Sequence, residues 1–565
     1  MGKVTLPLAE YPRPQLVRNS YFCLNGVWDY AITQDEALPE KYDGQIVVPF
    51  SPETPASGVK RTVKPEDFLY YHTEFHYSKA MDNDKLILHF GAVDQIAEVY
   101  INNKFAYKHV GGFLPFEFDI KPFIKKTINS ITVRVKDYSN SKSYSVGKQS
   151  LKRGGIWYTP QSGIYMPVWI EAVPYDYAES LNIIPDIDKN VIKIKVNTID
   201  KNVKVKLFNK EYKITSNRYY EFKVSEYTLW TPETPVLYPF EVFTTNDHVK
   251  SYFAMRKFST MTDSKGIKRL ALNNKPLFMK GVLDQGYYKE GFLTPSSDQD
   301  YINDIKFVKK LGFNVTRKHI KIESMRFYYH CDRLGLIVWQ DFVNGGSNYK
   351  FSTISTPLVT GIHSKDNNYK KFAREDEEGR KMATQEAIDT IKLLFNVPSI
   401  ALWTIFNEGW GQFDSEKLYN ECLKIDNTRI YDHASGWHDQ GISDVKSLHV
   451  YFKRVNMPSK KDTKDRAIIL SECGGYSLQI SGHTFNDKFF GYKKLKSSDE
   501  LIKEYKNFIN KDIIPNIDKG LSAFIYTELS DVEDELNGFI TYDRKVEKVD
   551  AEKIKEINDL VSLKD

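Results

Sequence analysis

The sequence predicts three domains in succession: an N-terminal β jelly-roll sandwich over 1–175, an immunoglobulin-like β-sandwich over 176–258, and a C-terminal (β/α)8 TIM barrel over 259–565. Three observations carry this. A chain of 565 residues is too long for one hydrophobic core. Up to about residue 258, short apolar runs broken by turn residues alternate in and out, as half-buried antiparallel strands do. Beyond that point strand-like runs alternate with helical ones, and acids or aromatics stand where the strand-like runs stop.

In the first domain, the runs 85–90 and 98–101 flank Gly91. The second of them reaches 104–107 through Asn102-Asn103, a dipeptide suited to a tight hairpin turn. The segments 117–120, 130–135 and 168–171 continue the series at the spacing of a sandwich or jelly roll. In the second domain, 191–196 and 203–207 alternate strictly, aliphatic on one face and lysine-bearing on the other. Those lysines are a solvated face and are assigned no ligand.

Eight strand-like runs follow in the third part, at 277–282, 313–317, 336–340, 400–406, 430–432, 448–451, 467–471 and 523–526. Between them lie a helix from about Asp298, with Tyr301, Ile305 and Val308 on one face and a stop near Gly312, a second near 324–334, and a long charged helix over about 370–395. Eight strand–helix repeats close a barrel rather than an open sheet.

Composition excludes several function classes. The 79 basic and 74 acidic residues are interspersed without a polybasic block, so neither nucleic acid nor a membrane surface is the expected partner. No stretch approaches the roughly 20 apolar residues of a membrane span. No apolar segment precedes Pro7, so no signal peptide is read and a cytoplasmic location is expected. Cys23, Cys331, Cys422 and Cys473 form no CxxC pair, which suits reduced thiols and argues against a structural zinc site. The aromatic content of 14% suits sandwich cores and also sugar pockets, where flat rings cover the apolar faces of pyranoses. A homo-oligomer is compatible with all of this.

The chemistry is sought at the carboxyl ends of the strands, where barrel ligands bind. The run 400–406 ends abruptly in Asn407-Glu408-Gly409, and the run 467–471 ends in Glu472. These are the fourth and seventh strands, so the two carboxylates face one mouth. Such a pair is what glycoside hydrolysis requires: one acid protonates the leaving oxygen and the other stabilises or attacks the oxocarbenium-like carbon. No metal or redox cofactor is needed for that.

The ordered motifs Leu24-Asn25-Gly26-Val27-Trp28, Gly91-Ala92-Val93-Asp94, Ser162-Gly163-Ile164-Tyr165, Leu229-Trp230-Thr231-Pro232 and Leu272-Asn273-Asn274-Lys275-Pro276, with Phe406-Asn407-Glu408 and Ser471-Glu472 at the two strand ends, resemble glycoside hydrolase family 2 over essentially the whole chain. This is the family of β-galactosidases, β-glucuronidases and β-mannosidases. The resemblance implies a retaining mechanism with Glu408 as acid/base, Glu472 as nucleophile and Asn407 on the sugar 2-hydroxyl. It also implies Arg317 and His319 as basic residues after the second strand, with a structural ion pair as the alternative for each. Tyr451 is implied as a hydrogen-bond partner of the nucleophile, with His449 beside it. Trp437 either walls the pocket or serves the core or a lid. Asp341 lies near the pocket or caps a helix, and Trp410 either contacts the leaving group or packs its loop.

Three departures bear on the substrate. Arg317-Lys318-His319 is shorter than the Arg-x-x-His of better-known β-galactosidases. Tyr526 stands at the eighth strand where many relatives place a tryptophan under the sugar. Asn537 is followed by Gly538-Phe539, so the Asn-x-Lys pair of β-glucuronidases is missing. The expectation is an exo-acting, β-galactosidase-like β-glycosidase on a small carbohydrate or glycoside, without cofactor or obligatory metal. The alternatives are the same chemistry on a β-glucuronide, β-mannoside or arabinoside, or a non-catalytic carbohydrate-binding protein.

Overall fold

The computed structural model describes residues 6–141 and 144–563. The first five residues of the segment read for a signal peptide lie outside these. Among the described residues no helix is long and apolar enough to cross a membrane.

The chain first builds a sandwich. A six-stranded sheet in the order Gly44–Val48, Gly26–Thr33, Phe68–His76, Ile128–Lys136, Ile96–Ile101, Lys104–Val110 packs on a four-stranded sheet of Tyr21–Cys23, Val168–Val173, Lys85–Phe90 and Phe116–Asp119. Leu69, Tyr71, Val99 and Val133 from the larger sheet meet Leu86, Leu88 and Phe90 from the smaller. Asn102 and Asn103 take φ of 50° and 63°, the left-handed pair that a two-residue hairpin needs.

A second, smaller sandwich follows. The sheet Ser180–Asp186, Val191–Asn197, Tyr220–Lys223 faces the sheet Lys210–Ile214, Val203–Leu207, Tyr238–Phe243, His248–Phe253. The apolar members of the alternating runs, such as Ile192, Ile194, Val203 and Val205, fill its core.

The barrel strands are β1 (Met279–Asp284), β2 (Val315–Lys318), β3 (Ile337–Asp341), β4 (Ile400–Thr404), β5 (Ile430–Asp432), β6 (Val445–Val450), β7 (Ala467–Gly474) and β8 (Leu521–Thr527). All their pairings are parallel, in the order β5-β4-β3-β2-β1-β8-β7-β6. Between β5 and β6, Asp444 completes the ring by donating its N–H to Tyr431 O at 3.2 Å and accepting from Tyr431 N at 2.8 Å. The eight predicted strands are therefore all present.

The helices Asp298–Lys310, Met325–Leu334 and Glu377–Leu394 lie outside the ring. The last was expected from about 370 but starts at Glu377. Asp376 caps it by accepting from Glu378 N, and Arg374 is drawn instead to Gly411 O at 3.0 Å.

A hairpin of Phe258–Thr262 and Lys268–Leu272 plugs the bottom. Phe258, Leu270 and Leu272 join Met279, Val315, Trp339, Leu402 and Ile469 in one apolar cluster, and Arg269 Nη1 donates to Leu521 O at the start of β8. Only the carboxyl-end mouth is left for chemistry. The first domain docks onto it: Val146 and Gly147 donate their N–H groups to Asn344 O at 3.0 and 3.2 Å, and Tyr158 donates to Glu535 Oε2 at 2.7 Å.

Candidate active site

Beyond β4 the chain keeps pairing with the segment that follows β5. Ile405 N donates to Asp432 O, Ser435 N to Phe406 O and Glu408 N to Ser435 O, at 2.8–2.9 Å. This ladder pins Asn407 and Glu408 at the mouth. Glu408 itself takes φ of 50°, and Gly409 follows at 73°. A Cβ at position 409 would stand 2.6 Å from the His438 ring, so glycine is required there by space as well as by conformation. Trp437 Nε1 donates to Glu408 O at 2.8 Å and its ring meets His449 edge-on, which makes Trp437 a brace behind the acid.

Glu472 reaches the mouth by a different device. Strict alternation along β7 would turn it outward, because Ile468 and Leu470 already face the outer core and Ile469 the inner one. The pairing with β8 shifts register between Leu470 and Cys473, and that with β6 shifts between Leu448 and His449. The irregularity leaves Ser471 and Glu472 both on the pocket side and returns Cys473 to the outer core.

The two carboxyls then share neighbours. His449 Nδ1 lies 2.8 Å from Glu408 Oε1 and 3.6 Å from Glu472 Oε2, and one oxygen of each carboxylate together with a His449 nitrogen fit within 4.8 Å of one another. Among the described residues this trio is also the group spaced closely enough to hold a metal ion. Glu472 Oε1, however, already accepts from Arg317 Nη1 at 3.0 Å, and Glu472 Oε2 accepts from the Tyr451 hydroxyl.

These partners separate the two acids. Burial alone would raise Glu472, but His449, Arg317 and the Tyr451 hydrogen bond outweigh it and hold the carboxyl at about 2. Burial and then the charge of Glu472 push Glu408 up; the His449 bond and Lys148 oppose this without cancelling it. Ionisation is thus favoured at Glu472 and disfavoured at Glu408.

Arg317 and Asp341 form the floor. Arg317 Nε donates to Asp341 Oδ1 at 2.9 Å, Nη2 to Asn407 Oδ1 at 2.8 Å and Nη1 also to Ser471 O at 3.0 Å, so the guanidinium spans four acceptors instead of gripping Glu472 with two bonds. Asp341 caps no helix: its second oxygen meets His319 Nδ1 at 2.7 Å. That bond places the imidazole hydrogen on Nδ1 and leaves Nε2 facing Glu472 at 4.0 Å. Burial, then the nearby Lys148 charge, lower His319 to about 4. With Oδ1 engaged, Asn407 keeps Nδ2 without a partner among the described residues, a donor left over for a ligand.

Tyr526 is corrected by the same parity that Glu472 escapes. Ala523 and Ile525 face the barrel interior, so Tyr526 points outward, stacked 4.6 Å from Phe539 and edge-on to Tyr505. The pocket side of β8 is taken instead by Thr527, whose Oγ1 is 3.3 Å from the Tyr451 hydroxyl. Beyond it comes Glu528, fully buried and bonded by Gln285 Nε2 at 2.9 Å.

Other residues at the mouth carry no periodic signal in the sequence. Tyr492 stacks on Tyr451 at 3.9 Å. From the first domain, Trp157 packs 5.4 Å from Trp410, and Lys148 lies 5.9 Å above the same indole. Trp410 therefore belongs to the junction between barrel and first domain, with His319 against its edge.

Comparison with known proteins agrees with this architecture. Family models described as "Glycosyl hydrolases family 2, sugar binding domain", "Glycosyl hydrolases family 2" and "Glycosyl hydrolases family 2, TIM barrel domain" match residues 40–174, 178–256 and 264–561. A β-galactosidase of Thermoanaerobacterium thermosulfurigenes is 27% identical over 387 residues, 63% of this chain and 48% of that protein. A putative β-glucuronidase of Formosa agariphila is 24% identical over 374 residues, 61% of this chain and 40% of that protein. The chain spans about half the length of the curated relatives it matches. Among solved structures, a β-D-glucuronidase of Dictyoglomus thermophilum superposes with a TM-score of 0.75 at 20% identity, covering 98% of this chain and 99% of that one. A β-galacturonidase of Eisenbergiella tayi bound to galacturonate gives 0.72 at 17% identity, covering 98% and 99%. At these identities the likeness is one of fold.

Proposed function

This chain belongs to glycoside hydrolase family 2, and from that premise we propose that it is a retaining exo-β-glycosidase acting on a terminal, uncharged β-linked sugar, as a β-galactosidase does. The observation that carries the reading is the spacing of Glu408 and Glu472, whose nearest oxygens fit within 4.8 Å together with His449. Retaining enzymes hold their carboxyls about 5–5.5 Å apart, whereas inverting ones need about 6.5–9.5 Å to seat a water between them.

The geometry supports the following steps. Glu472, kept ionised by Arg317 and Tyr451, attacks the anomeric carbon. Glu408 gives its proton to the departing oxygen as that bond breaks. The glycosyl-enzyme ester removes the Glu472 charge, and ionised Glu408 then takes a proton from the water that cleaves the ester. Asn407 Nδ2 donates to the sugar 2-hydroxyl, a bond that tightens as positive charge builds at the neighbouring carbon.

The pocket wall supports an uncharged sugar. Asn537 Nδ2 is occupied by Glu535 Oε1 at 3.0 Å, and burial with the Glu535 charge raises Glu528 well above the carboxylate range. A uronate placed there would find Asn537 Nδ2 already committed to Glu535. A panel of aryl β- and α-glycosides tests the proposal. Turnover of the β-galactoside or another uncharged β-glycoside is expected. Turnover of the β-glucuronide alone would overturn the sugar assignment, and sugar binding with no turnover of any β-glycoside would overturn the activity.

A further inference from the structure

Lys148 belongs to the first domain but stands over the barrel mouth. Its loop is fixed there: the neighbouring N–H groups of Val146 and Gly147 reach Asn344 O, and Lys148 O accepts from Tyr158 N at 2.9 Å. A Cβ on Gly147, whose φ is 63°, would come 3.2 Å from Ile320 O, so this loop lies tight against the segment that follows β2. The ammonium sits 5.5 Å from the Tyr158 ring and 5.9 Å from the Trp410 ring, half-buried. It has no hydrogen bond or ion pair among the described residues.

Three groups on three different strand ends feel its charge: His319 after β2, Glu408 after β4 and Glu528 after β8. Its ring contacts agree: Trp410 lies in the loop beyond β4, and Tyr158 bonds Glu535 in the segment beyond β8, so the ammonium stands between those two strand ends. Glu528 Oε2 is held by Gln285 while Oε1 has no partner among the described residues. A half-buried ammonium without an acceptor and a buried carboxyl oxygen without a partner, within electrostatic reach of each other, are complementary to one ligand group between them.

We propose that Lys148 is a substrate-binding residue contributed by the first domain, and that with Glu528 it reads a pair of hydroxyls on the terminal sugar, one accepting from Nζ and one bonding Glu528 Oε1. This rests on the glycosidase reading above. Lys148 has a second effect, because Glu408 is faced by Glu472 from β7, His449 from β6, Tyr451 and Tyr492 from the loops beyond, and Lys148 from the first domain. Of these, His449 and then the Lys148 ammonium oppose retention of the acid's proton, so loss of Lys148 moves Glu408 further up.

The test compares Lys148→Met and Lys148→Arg with wild type on the best uncharged aryl glycoside across about pH 5 to 9, where the alkaline limb of kcat/KM reports the acid of the free enzyme. Lys148→Met is expected to lose about tenfold or more in kcat/KM, with its alkaline limb displaced to higher pH. Lys148→Arg should return the limb toward wild type. A Lys148→Met enzyme within twofold of wild type with an unmoved limb overturns the proposal. So does a loss confined to an anionic glycoside, which would make the ammonium a carboxylate reader. Failure of wild type on every β-glycoside would instead strike the activity itself.

Discussion

Arg317 Nη1 holds Glu472 Oε1 at 3.0 Å while the same guanidinium reaches Asn407 and Asp341. The proposed nucleophile and the proposed 2-hydroxyl donor are thus set in one frame by a single planar fork, which an ammonium cannot reproduce. Arg317→Lys should lower kcat by about 100-fold, the scale of a misplaced reacting group. Arg317→Met should in addition move the acidic limb of kcat/KM upward, because removing the cation raises the carboxyl that must be ionised to attack. Rates and limbs like those of wild type in both variants would remove Arg317 from the account.

The two glutamates predict different behaviour when shortened. Glu408→Ala should still form the glycosyl-enzyme from substrates with good leaving groups, which need no proton. Azide should then rescue it, giving the β-azide, because the small anion enters where the general base stood. Glu472→Gln should abolish turnover. An α-azide from Glu408→Ala would reverse the two roles, and product chromatography with NMR distinguishes these outcomes.

Away from the pocket, Glu171 ties the first domain to the N-terminal segment. It is 1% exposed and accepts from Tyr11 at 2.6 Å, Arg13 Nη2 at 2.5 Å, Arg18 Nη1 at 3.1 Å and Trp169 Nε1 at 3.1 Å. Burial alone would raise it, but Arg13, His89 and Arg18 hold the carboxyl well below its ordinary value. A depressed carboxyl contributes stability in full above the unfolded-chain value near pH 4.3 and loses it as pH falls toward the folded value. Glu171→Gln at neutral pH should cost about 1–3 kcal/mol, since it removes a charged partner from buried Arg18 and half-buried Arg13, although Arg18 keeps Asp247. The fall of its thermal midpoint on acidification should also be shallower than that of wild type. Superimposable melting curves at neutral pH would contradict this.

Most of the barrel is legible in the sequence because strands buried on both faces read as continuous apolar runs, and 400–406 and 467–471 are such runs. The strand ends named Glu408 and Glu472 directly. Direction is harder to read. Tyr526 obeys the two-residue period of β8 and points into the outer core, whereas Glu472 reaches the pocket only through a register shift that no local pattern announces. Lys148, Trp157 and Tyr492 are illegible for another reason: they arrive on irregular loops, two of them from another domain, and only the packed tertiary structure brings them to the mouth.

Everything proposed for the pocket turns on Glu472 forming a covalent bond to the sugar and Glu408 serving first as acid and then as base. The stereochemistry of the first-formed product reads this directly, by proton NMR of the anomeric signals in the first minutes of hydrolysis of an accepted aryl β-glycoside. Two displacements at one carbon predict that the β-anomer appears first and the α-anomer grows in only by mutarotation; an α-anomer formed first would contradict the account.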